Sequence, residues 1–493
     1  MKEIVVVGGG TAGWLTALYA KHIFPKKNIT LVESNSIGIL GAGEGTTPAF
    51  VGFLNGIGID VYDLISKTNG SIKQGISFED WNGDKKKYFH EFYTTNNLNH
   101  FSFRPFFTSV CYHYYIKNLI TQKQNLDNFL YPSRISYKNK VDPRNVLFAL
   151  HFDANVLADY LKNIGLERGI KRVEGVVEDV ELDSKGDVKT IITKNKKIKS
   201  DFVFDCTGFK RLIIGKIYKT KWVSYEKWLP MNSAIAFPMK PDKTKTIPYT
   251  QAICMKNGWI WKIPLQHRYG AGYIYDKNYT DETKALKEAE TKLGKKLEVV
   301  NRFSFSAGRF EEIWVNNCIA IGLSSGFTEP LEATSIWLSV THLEMLRHYQ
   351  GGMNNNDQNL KDNYNKFAAE NNDVVKDFIF LHYLSKRKDS KFWKDFQKKR
   401  FPLYKEIPFL NNFINNKHSI YDHNLMNGPL GFGIESFFQV GHGLGLLKFP
   451  KEEWYKTQQP TTKQYIERMQ EAEKRSAMSH KELLERLKRG VRF

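Results

Sequence analysis

The sequence predicts an α/β fold that begins with a doubly wound, largely parallel sheet. Residues 4–7 form a short β-branched run suited to a strand buried on both faces, and residues 29–32 form a second one. Between them, residues 14–24 have the apolar spacing of a helix that ends before Pro25. This is the pattern of one βαβ unit. A later buried strand at residues 202–204 leads into DCTGF and returns the chain towards the same region.

Strand and helix patterns alternate between residues 38 and 206. A glycine-rich loop at residues 38–48, GILGAGEGTTP, precedes a helical stretch at 50–70. Residues 147–169 have the pattern of a strand or loop followed by a helix. Short strands with a turn at residues 184–186 are expected across 171–206.

The second half is expected to become progressively more helical. Antiparallel strands are predicted at residues 248–275, around GWIWKIPL, and a short strand at 318–322. A helix is predicted at about residues 332–348, and the segment 351–358, GGMNNNDQ, is predicted to be a surface loop. The remainder is mainly helical and charged. The sequence contains no internal repeat and no linker long enough to separate independent domains.

Composition and charge narrow the class of protein. The 493 residues are 41% hydrophobic and 25% charged, which provides a sizeable core and argues against wholesale disorder. The net charge of +20 comes mostly from scattered lysines, a pattern typical of a solvated surface, and no nucleic-acid recognition motif accompanies it. The four cysteines are widely spaced without a CxxC pair, which argues against a metal site or a disulfide framework. No long apolar run predicts a membrane span, so a cytoplasmic location without a membrane partner is expected.

The turn after the first strand has the spacing of a dinucleotide-binding fingerprint. Gly8, Gly10 and Gly13 form GxGxxG between a predicted strand and a predicted helix. The first glycine permits the tight turn, the second lets the backbone approach a pyrophosphate, and the third allows close helix packing. Glu33 follows about twenty residues later, where an acid binds ribose hydroxyls. A purely structural glycine turn is the alternative.

Two later features favour FAD over NAD in this site. GAGEGTTP supplies a second flexible loop that can lie along a larger ligand, and DCTGF follows a second predicted strand towards the cofactor. A second glycine-rich phosphate motif for NAD(P)H is not evident. We therefore expect a separate protein to reduce the flavin.

Five blocks of the sequence together resemble the flavin-dependent tryptophan halogenase family. These blocks are GGGTAGW at 8–14, GAGEGTTP at 41–48, KQGISFEDW at 73–81, GWIWKIPL at 258–265 and GLSSGFTEPLEATSI at 322–336. Matching segments extend to about residue 345, and the C-terminal third matches less clearly. The resemblance implies a Rossmann-like FAD-binding fold of the flavin monooxygenase type, with an interwoven, largely helical substrate-binding part.

The block at 259–264 is the most diagnostic, because it resembles the WxWxIP signature that separates these halogenases from related flavin monooxygenases. An ordinary amphipathic strand would also place Trp259, Trp261 and Ile263 on one face. An FAD-dependent aromatic monooxygenase of the same fold is therefore the alternative function. A basic nucleic-acid scaffold that binds flavin is a more distant one.

The resemblance identifies two catalytic candidates. Lys73 matches the family's catalytic lysine, whose ammonium donates a hydrogen bond to hypohalous acid or, when deprotonated, forms a haloamine. The sequence does not decide between these roles. Glu332 matches the catalytic glutamate, a carboxylate that stabilises the cationic ring intermediate and accepts its proton. A glutamate at a helix start that stabilises the helix dipole is the alternative for Glu332.

Other positions are assigned by the same resemblance. Thr334 and Ser335 match halide-binding positions, and His90 and Phe92 match a segment whose aromatic walls hold an indole by stacking. A packed aromatic core is the alternative for the latter pair. The expected cofactor contacts are Gly8, Gly10, Thr11, Ala12, Gly13, Glu33, Gly43, Glu44, Gly45, Thr46 and Leu323.

The implied enzyme takes reduced FAD from a flavin reductase and uses oxygen and a halide ion to make hypohalous acid, which halogenates an aromatic small molecule such as tryptophan or another indole. We expect an FAD-binding module at residues 1–345, with substrate-binding insertions at about 70–130 and 215–300. The remainder, 346–493, is expected to be a mainly helical region on the substrate side. A homo-oligomer is compatible with the sequence, whereas nucleic acid and metal are not expected.

Overall fold

The chain folds into two compact units that are each built from three separate segments. The structure, a computed structural model, describes residues 1–37, 44–92, 140–141, 148–241, 246–415, 432, 434–446 and 478–491. The first unit comprises Met1–Gly70, Phe152–Asn232 and Ser304–Lys376. The second comprises Ser71–His151, Ser233–Phe303 and Asp377–Phe493. The division at residue 345 expected from the sequence stays a prediction.

The described strands are, in chain order, β1 Glu3–Val7, β2 Asn28–Glu33, β3 Glu44–Gly45, β4 Ser71–Lys73, β5 Gly75–Glu79, β6 Lys87–Glu91, β7 Lys140–Val141, β8 Ala149–Phe152, β9 Lys171–Glu174, β10 Val177–Leu182, β11 Val188–Thr193, β12 Lys197–Lys199, β13 Phe202–Asp205, β14 Trp222–Ser224, β15 Ser233–Met239, β16 Thr250–Cys254, β17 Gly258–Pro264, β18 Tyr269–Tyr275, β19 Asn301–Ser304, β20 Gly308–Phe310, β21 Trp314–Val315, β22 Cys318–Ala320, β23 Gly326–Phe327 and β24 Met478–Ser479.

The described α-helices are α1 Thr11–Ile23, α2 Pro48–Gly56, α3 Val61–Lys67, α4 Ala154–Glu167, α5 Glu282–Leu293, α6 Thr334–Asn355, α7 Gln358–Tyr383, α8 Lys391–Lys399, α9 Pro408–Ile414, α10 Ile434–Gly443 and α11 His480–Lys488. None of these helices alone has the length and hydropathy required to cross a membrane.

A six-stranded sheet in the order β21-β22-β13-β1-β2-β9 organises the first unit. Its strands pair in parallel except for β21, which is antiparallel to β22. Continuous apolar strands such as β1 and β13 suit this position because helices and loops cover both faces of a parallel sheet. The predicted βαβ opening and the return of the chain at residues 202–204 are confirmed.

Helix α1 packs closely against α4 in this unit. A Cβ atom on Gly165 would lie only 2.7 Å from the ring of Trp14, so glycine in α4 makes room for that indole. Residues 13–20 of α1 are buried.

The carboxylate of Asp205 organises the turn at the end of β13. This side chain is fully buried and accepts hydrogen bonds from the backbone N–H groups of Ile213 at 2.8 Å and Ile214 at 3.0 Å. Its other oxygen accepts from the hydroxyl of Thr207 at 2.7 Å. The acid therefore caps the short helical turn Leu212–Ile217 from within the core.

A seven-stranded sheet in the order β19-β15-β18-β17-β16-β5-β6 organises the second unit. Its pairs among β15 to β18 are antiparallel, which confirms the strands predicted at residues 248–275. One face packs against α5 through Ala285 and Ala289, together with Ile253, Ile260 and Tyr273. On β18, Gly272 has no space for a Cβ atom because the ring of Trp261 would lie 2.0 Å away.

One expectation about helix limits was wrong, and a second was confirmed with an interruption. The segment 351–358 is not a surface loop, because α6 continues to Asn355 and buries Gly352 and Met353. A Cβ on Gly352 would lie 3.1 Å from the ring of Trp314, so this glycine is a packing position rather than a turn. The helical stretch at 50–70 is two helices, interrupted at Gly58 (φ +70°) and restarted by Asp60, whose side chain caps α3.

We predict that Asp205→Ala lowers the free energy of unfolding by roughly 3 kcal/mol, because it leaves several buried N–H groups without an acceptor. Urea unfolding of the cofactor-free protein measures this loss. Asp183→Ala is the matched control, since the exposed Asp183 also accepts two backbone hydrogen bonds, from Lys185 and Asp187. The control should lose less than about 1 kcal/mol. Equal losses would contradict the special role of the buried carboxylate.

Candidate functional site

The glycines of the fingerprint differ in what surrounds them. A Cβ on Gly8, which has φ +119°, would lie 2.2 Å from the carbonyl oxygen of Cys206, and one on Gly13 would lie 1.9 Å from the carbonyl oxygen of Gly8. These two glycines are therefore required by close backbone packing. Around Gly10, in contrast, no described atom lies within 4 Å of a Cβ position. The turn thus presents open space beside its second glycine.

The N-terminus of α1 borders this open space. No side chain caps the helix at Gly10, and the buried hydroxyl of Thr11 has no hydrogen-bond partner among the described residues. Unsatisfied donors at a helix N-terminus favour an anion such as a phosphate. Ala12 lies in the same turn and meets the loop of Gly322 and Leu323, since a Cβ on Gly322 would lie 2.8 Å from that of Ala12. Helix, glycine turn and this second loop therefore converge.

Glu33 ends β2 beside the fingerprint, but its carboxylate is already engaged. Arg172 on β9 donates to Glu33 at 2.5 Å and to the side chain of Asn35 at 2.8 Å. A Cβ on Gly9 would collide with Glu33, so that glycine is also required. Sequence reasoning missed Arg172, because its pairing with Glu33 depends on the register of two parallel strands. A ribose contact by Glu33 stays a prediction.

The GEGTTP loop contributes a carboxyl group and two hydroxyl groups. Glu44 is half-buried, and the loss of solvent around it, followed by repulsion from Asp153, raises the pKa of its carboxyl to about 7. Gly45 follows in β3, and Thr46 is fully buried. The buried hydroxyl of Thr47, which the sequence analysis did not single out, has no partner in the described part of the chain. Gly43 lies outside the described residues.

Glu332 occupies a turn with unusual backbone geometry. It is only 4% exposed and has φ +65°, and Ala333 beside it has φ +58°. Two successive residues with side chains in the left-handed region are unfavourable and are typical of functional sites. The expected helix begins two residues late, at Thr334, because these left-handed residues cannot continue it.

The hydroxyl of Thr334 is held by the turn that precedes it. This buried hydroxyl lies 3.2 Å from that of Thr328 and 3.3 Å from the carbonyl oxygen of Glu329. Ser335 is half-buried, and its carbonyl accepts a hydrogen bond from Ser339 at 2.8 Å. The N-cap residue of α6, Ala333, has no side chain that can accept from the first backbone N–H groups, and such a helix end favours an anion.

Three predicted site residues of the second unit lie together. Lys73 ends β4 and is only 1% exposed, although a lysine is rarely buried so completely. Its Nζ lies 5.1 Å from the centroid of the Phe92 ring, within cation–π distance. The rings of His90 and Phe92 are edge-to-face with centroids 6.4 Å apart.

His90 is packed against aromatic residues that the sequence analysis did not identify. It is 2% exposed and meets Phe378 of α7 with centroids 5.6 Å apart. Phe378 in turn stacks on Phe432 at 4.3 Å and contacts Phe437 at 4.9 Å. These residues come from the C-terminal segment, where the sequence carries aromatic residues but no motif. His90 is the more enclosed of the predicted pair, whereas Phe92 is half-buried.

The WIWKIP strand, β17, anchors its two indoles in the second unit. The rings of Trp259 and Trp261 are edge-to-face, 6.5 Å apart, as expected for alternate residues on one face. The indole N–H of Trp259 donates to the hydroxyl of Tyr383 at 3.1 Å. Pro264 closes the strand, and its carbonyl accepts from the hydroxyl of Ser71, two residues before Lys73.

Comparison with known proteins assigns the family. A family model described as tryptophan halogenase matches residues 3–459. Tryptophan 6-halogenase SttH of Streptomyces toxytricini is 32% identical over 428 residues, covering 81% of this chain and 82% of that protein. Tryptophan 7-halogenase RebH of Lentzea aerocolonigenes is 30% identical over 482 residues, covering 90% of each chain.

A solved structure agrees with these matches. A flavin-dependent halogenase from Xanthomonas campestris superposes with a TM-score of 0.86 at 28% identity, covering 99% of this chain and 98% of that one. The family and the Rossmann-like flavoprotein fold expected from the sequence blocks are confirmed. The chain therefore belongs to the tryptophan halogenase family of flavin-dependent enzymes.

Proposed function

We propose that this chain uses reduced FAD, oxygen and a halide ion to make hypohalous acid, with which it halogenates an electron-rich aromatic ring of tryptophan or another indole. The observation that carries the proposal is Lys73, a fully buried lysine whose Nζ lies 5.1 Å from the Phe92 ring centroid in a chain of this family. A separate flavin reductase, a cytoplasmic location and a homo-oligomer are part of the proposal.

The residues around the glycine turn fit the diphosphate of FAD. The open space beside Gly10 and the buried, unpartnered hydroxyl of Thr11 support this fit within the described chain. When bound, reduced FAD would supply two electrons and the halide ion the other two, so that oxygen, with one added proton, becomes hypohalous acid and water. The proposed contacts are Gly8, Gly10, Thr11, Ala12, Gly13, Glu33, Gly43, Glu44, Gly45, Thr46 and Leu323. A proton held by Glu44 would reduce repulsion of the diphosphate.

Lys73 is proposed to hold the electrophilic halogen. Its ammonium donates a hydrogen bond to hypohalous acid. In the alternative, the neutral amine takes the halogen: the nitrogen–halogen bond forms as the halogen–oxygen bond breaks, and the amine proton leaves with the hydroxyl group as water. Burial removes competing water from this group, so either form is used on the ring rather than hydrolysed. His90 and Phe92 are the proposed contacts of the aromatic substrate.

Glu332 is proposed to stabilise the positive charge that forms on the ring. The N-terminus of α6 is proposed to bind the negatively charged halide ion. The carbon–halogen bond forms as the halogen–oxygen or halogen–nitrogen bond breaks, which leaves a positive charge on the ring. The Glu332 carboxylate stabilises this charge and accepts the ring proton. Thr334 and Ser335 are the proposed halide contacts, supported by their position at the N-terminus of α6, where backbone N–H groups favour an anion.

We predict that Gly10→Asp weakens FAD binding at least tenfold, because a carboxylate would occupy the open space and repel the diphosphate. Equilibrium titration with FAD measures the affinity. Gly351→Asp in α6 is the control, since Gly351 is exposed and its Cβ position meets a leucine methyl group at an ordinary 3.4 Å. An unchanged affinity in a folded Gly10→Asp protein would remove the cofactor from this turn.

We predict that Lys73→Ala abolishes halogenation but preserves FAD binding and the formation of free hypohalous acid. The reason is that oxidant formation does not require this amino group. Mass spectrometry of the product and a dimedone trap for the free oxidant measure the two outcomes. Lys86→Ala, which removes an exposed lysine, should retain the wild-type rate. Halogenation at the wild-type rate without Lys73 would remove the residue from the mechanism, and oxygenated product without halide would favour a monooxygenase.

We predict that Glu332→Gln lowers the halogenation rate about a hundredfold, which corresponds to roughly 2.7 kcal/mol of transition-state stabilisation. The amide keeps the volume but can neither take the proton nor stabilise the cation. The test compares halogenated product with flavin oxidised at saturating halide. Glu311→Gln, an exposed acid paired with Lys221 at 3.3 Å, is the charge-matched control. A parallel loss of FAD binding in Glu332→Gln would instead indicate that Glu332 mainly stabilises the turn.

A further inference from the structure

The strand that ends in Lys73 is hydrogen-bonded to the C-terminal helix. Ile72, the residue before Lys73, donates its backbone N–H to Nε2 of His480 at 3.1 Å. The other ring nitrogen, Nδ1, lies 3.0 Å from the carbonyl oxygen of Thr246. His480 is fully buried and is the first residue of α11. One imidazole therefore joins β4, the segment before β16 and the C-terminal helix.

Helix α11, which begins with His480, is capped at its N-terminus and buried along one face, and both features fix the position of the imidazole. Ser479 caps the helix by accepting from the backbone N–H of Glu482 at 3.1 Å. Leu483, Leu484 and Leu487 are buried along one face. The family model matches only as far as residue 459, so α11 lies beyond it.

The hydrogen bonds define the protonation of His480. Because Nε2 accepts from a backbone N–H, the proton resides on Nδ1 and is donated to Thr246. Burial lowers the pKa of His480 to about 4, against the opposing effect of its bonds to the Thr246 and Ile247 backbone. The ring is therefore neutral near pH 7 and adds no positive charge beside Lys73.

The other end of β4 has a separate support. The hydroxyl of Ser71 donates to the carbonyl of Pro264 at 2.6 Å and lies 3.2 Å from Nδ1 of His151. Nε2 of that buried histidine lies 2.9 Å from the hydroxyl of Thr250. Burial, followed by the positive charge of Lys73, holds the pKa of His151 well below its usual value. Loss of His480 would thus remove one hydrogen bond from the outer edge of β4, while the bonds of Ser71 and the antiparallel pairing of β4 with β8 stay in place.

We propose that His480 is a positioning residue for Lys73 and that α11 is thereby part of the halogenating site. The inference rests on the proposed role of Lys73. Ile72 directly precedes Lys73 at the end of a three-residue strand. A displacement of the Ile72 backbone therefore also displaces the Lys73 amino group. Small displacements of a catalytic group cost large factors in rate. The oxidant is then formed at the normal rate but is delivered to the ring less often.

The test replaces His480 with Phe, which keeps a ring but removes both hydrogen bonds, and with Gln, whose amide oxygen can accept from Ile72. In His480→Phe we expect halogenated product per flavin oxidised to fall at least tenfold, with a matching rise in trapped free hypohalous acid. His480→Gln should recover to within about threefold of the wild type. Amide hydrogen exchange of the peptide containing Ile72 should accelerate in the Phe variant and return towards normal in the Gln variant.

Arg486→Ala is the matched control, because it removes an exposed ion pair with Glu482 from the same helix without touching His480. FAD affinity should equal that of the wild type in all three variants. An unchanged product-to-flavin ratio in His480→Phe overturns the proposal, whether or not exchange at Ile72 accelerates. If His480→Phe does not fold, His480→Leu takes its place with the same expected results, and an unchanged product-to-flavin ratio in that variant overturns the proposal equally.

The same measurements separate this inference from the proposed function. If Lys73→Ala still halogenates while His480→Phe accelerates exchange at Ile72, the role of Lys73 fails and the contact between α11 and β4 stands. If Lys73→Ala is inactive and His480→Phe gives as much halogenated product per flavin oxidised as the wild type, Lys73 keeps its role. The proposal that His480 positions Lys73 then fails.

Discussion

The close approach of backbone segments at the carboxyl end of β1 is the constraint on which the first unit depends. Gly8 lies against the carbonyl of Cys206, Gly13 lies against the carbonyl of Gly8, and Gly322 lies against Ala12. No side chain fits at any of the three glycines. Because these glycines have no Cβ atom, the turn after β1, the turn after β13 and the loop after β22 can approach one another at one edge of the sheet. Gly10, between Gly8 and Gly13, is the one of these three fingerprint glycines whose Cβ position faces open space.

The sequence was most informative where local pattern and fold coincide. Buried parallel strands are continuous apolar runs, so β1, β2 and β13 could be predicted from short windows. The same local reasoning failed at Gly352, because its glycine serves contact with Trp314 rather than a turn. Arg172 was missed for a related reason, since its pairing with Glu33 requires the strand register. Nothing near Lys73 in the sequence points to His480, whose bond to Ile72 spans 408 residues.

The candidate residues share an energetic property. Lys73 is a buried amine, and Glu332 and Ala333 have left-handed backbones. Each arrangement is locally unfavourable and persists only because the surrounding structure over-determines it. For Lys73 this surrounding structure includes two hydrogen bonds, from the hydroxyl of Ser71 to the carbonyl of Pro264 and from the backbone N–H of Ile72 to the ring of His480. Motifs reveal such residues, whereas the contacts that hold them are dispersed through the chain and have no motif. This is why the candidate catalytic residues could be named from sequence but their supports could not.

The division of each unit into three separate segments affects how the chain folds during synthesis. Strand β1 finds β2 early, but its other neighbour, β13, emerges only when residues 202–205 have been translated. On the second unit, β4 acquires its bond to His480 only after most of the polypeptide has left the ribosome. Pairings between segments so distant in sequence form slowly. The apolar surfaces of the strands stay exposed to solvent until their partners have been synthesised. The nascent chain therefore exposes unpaired strand edges for longer than a chain built from local pairings would, which favours aggregation during synthesis.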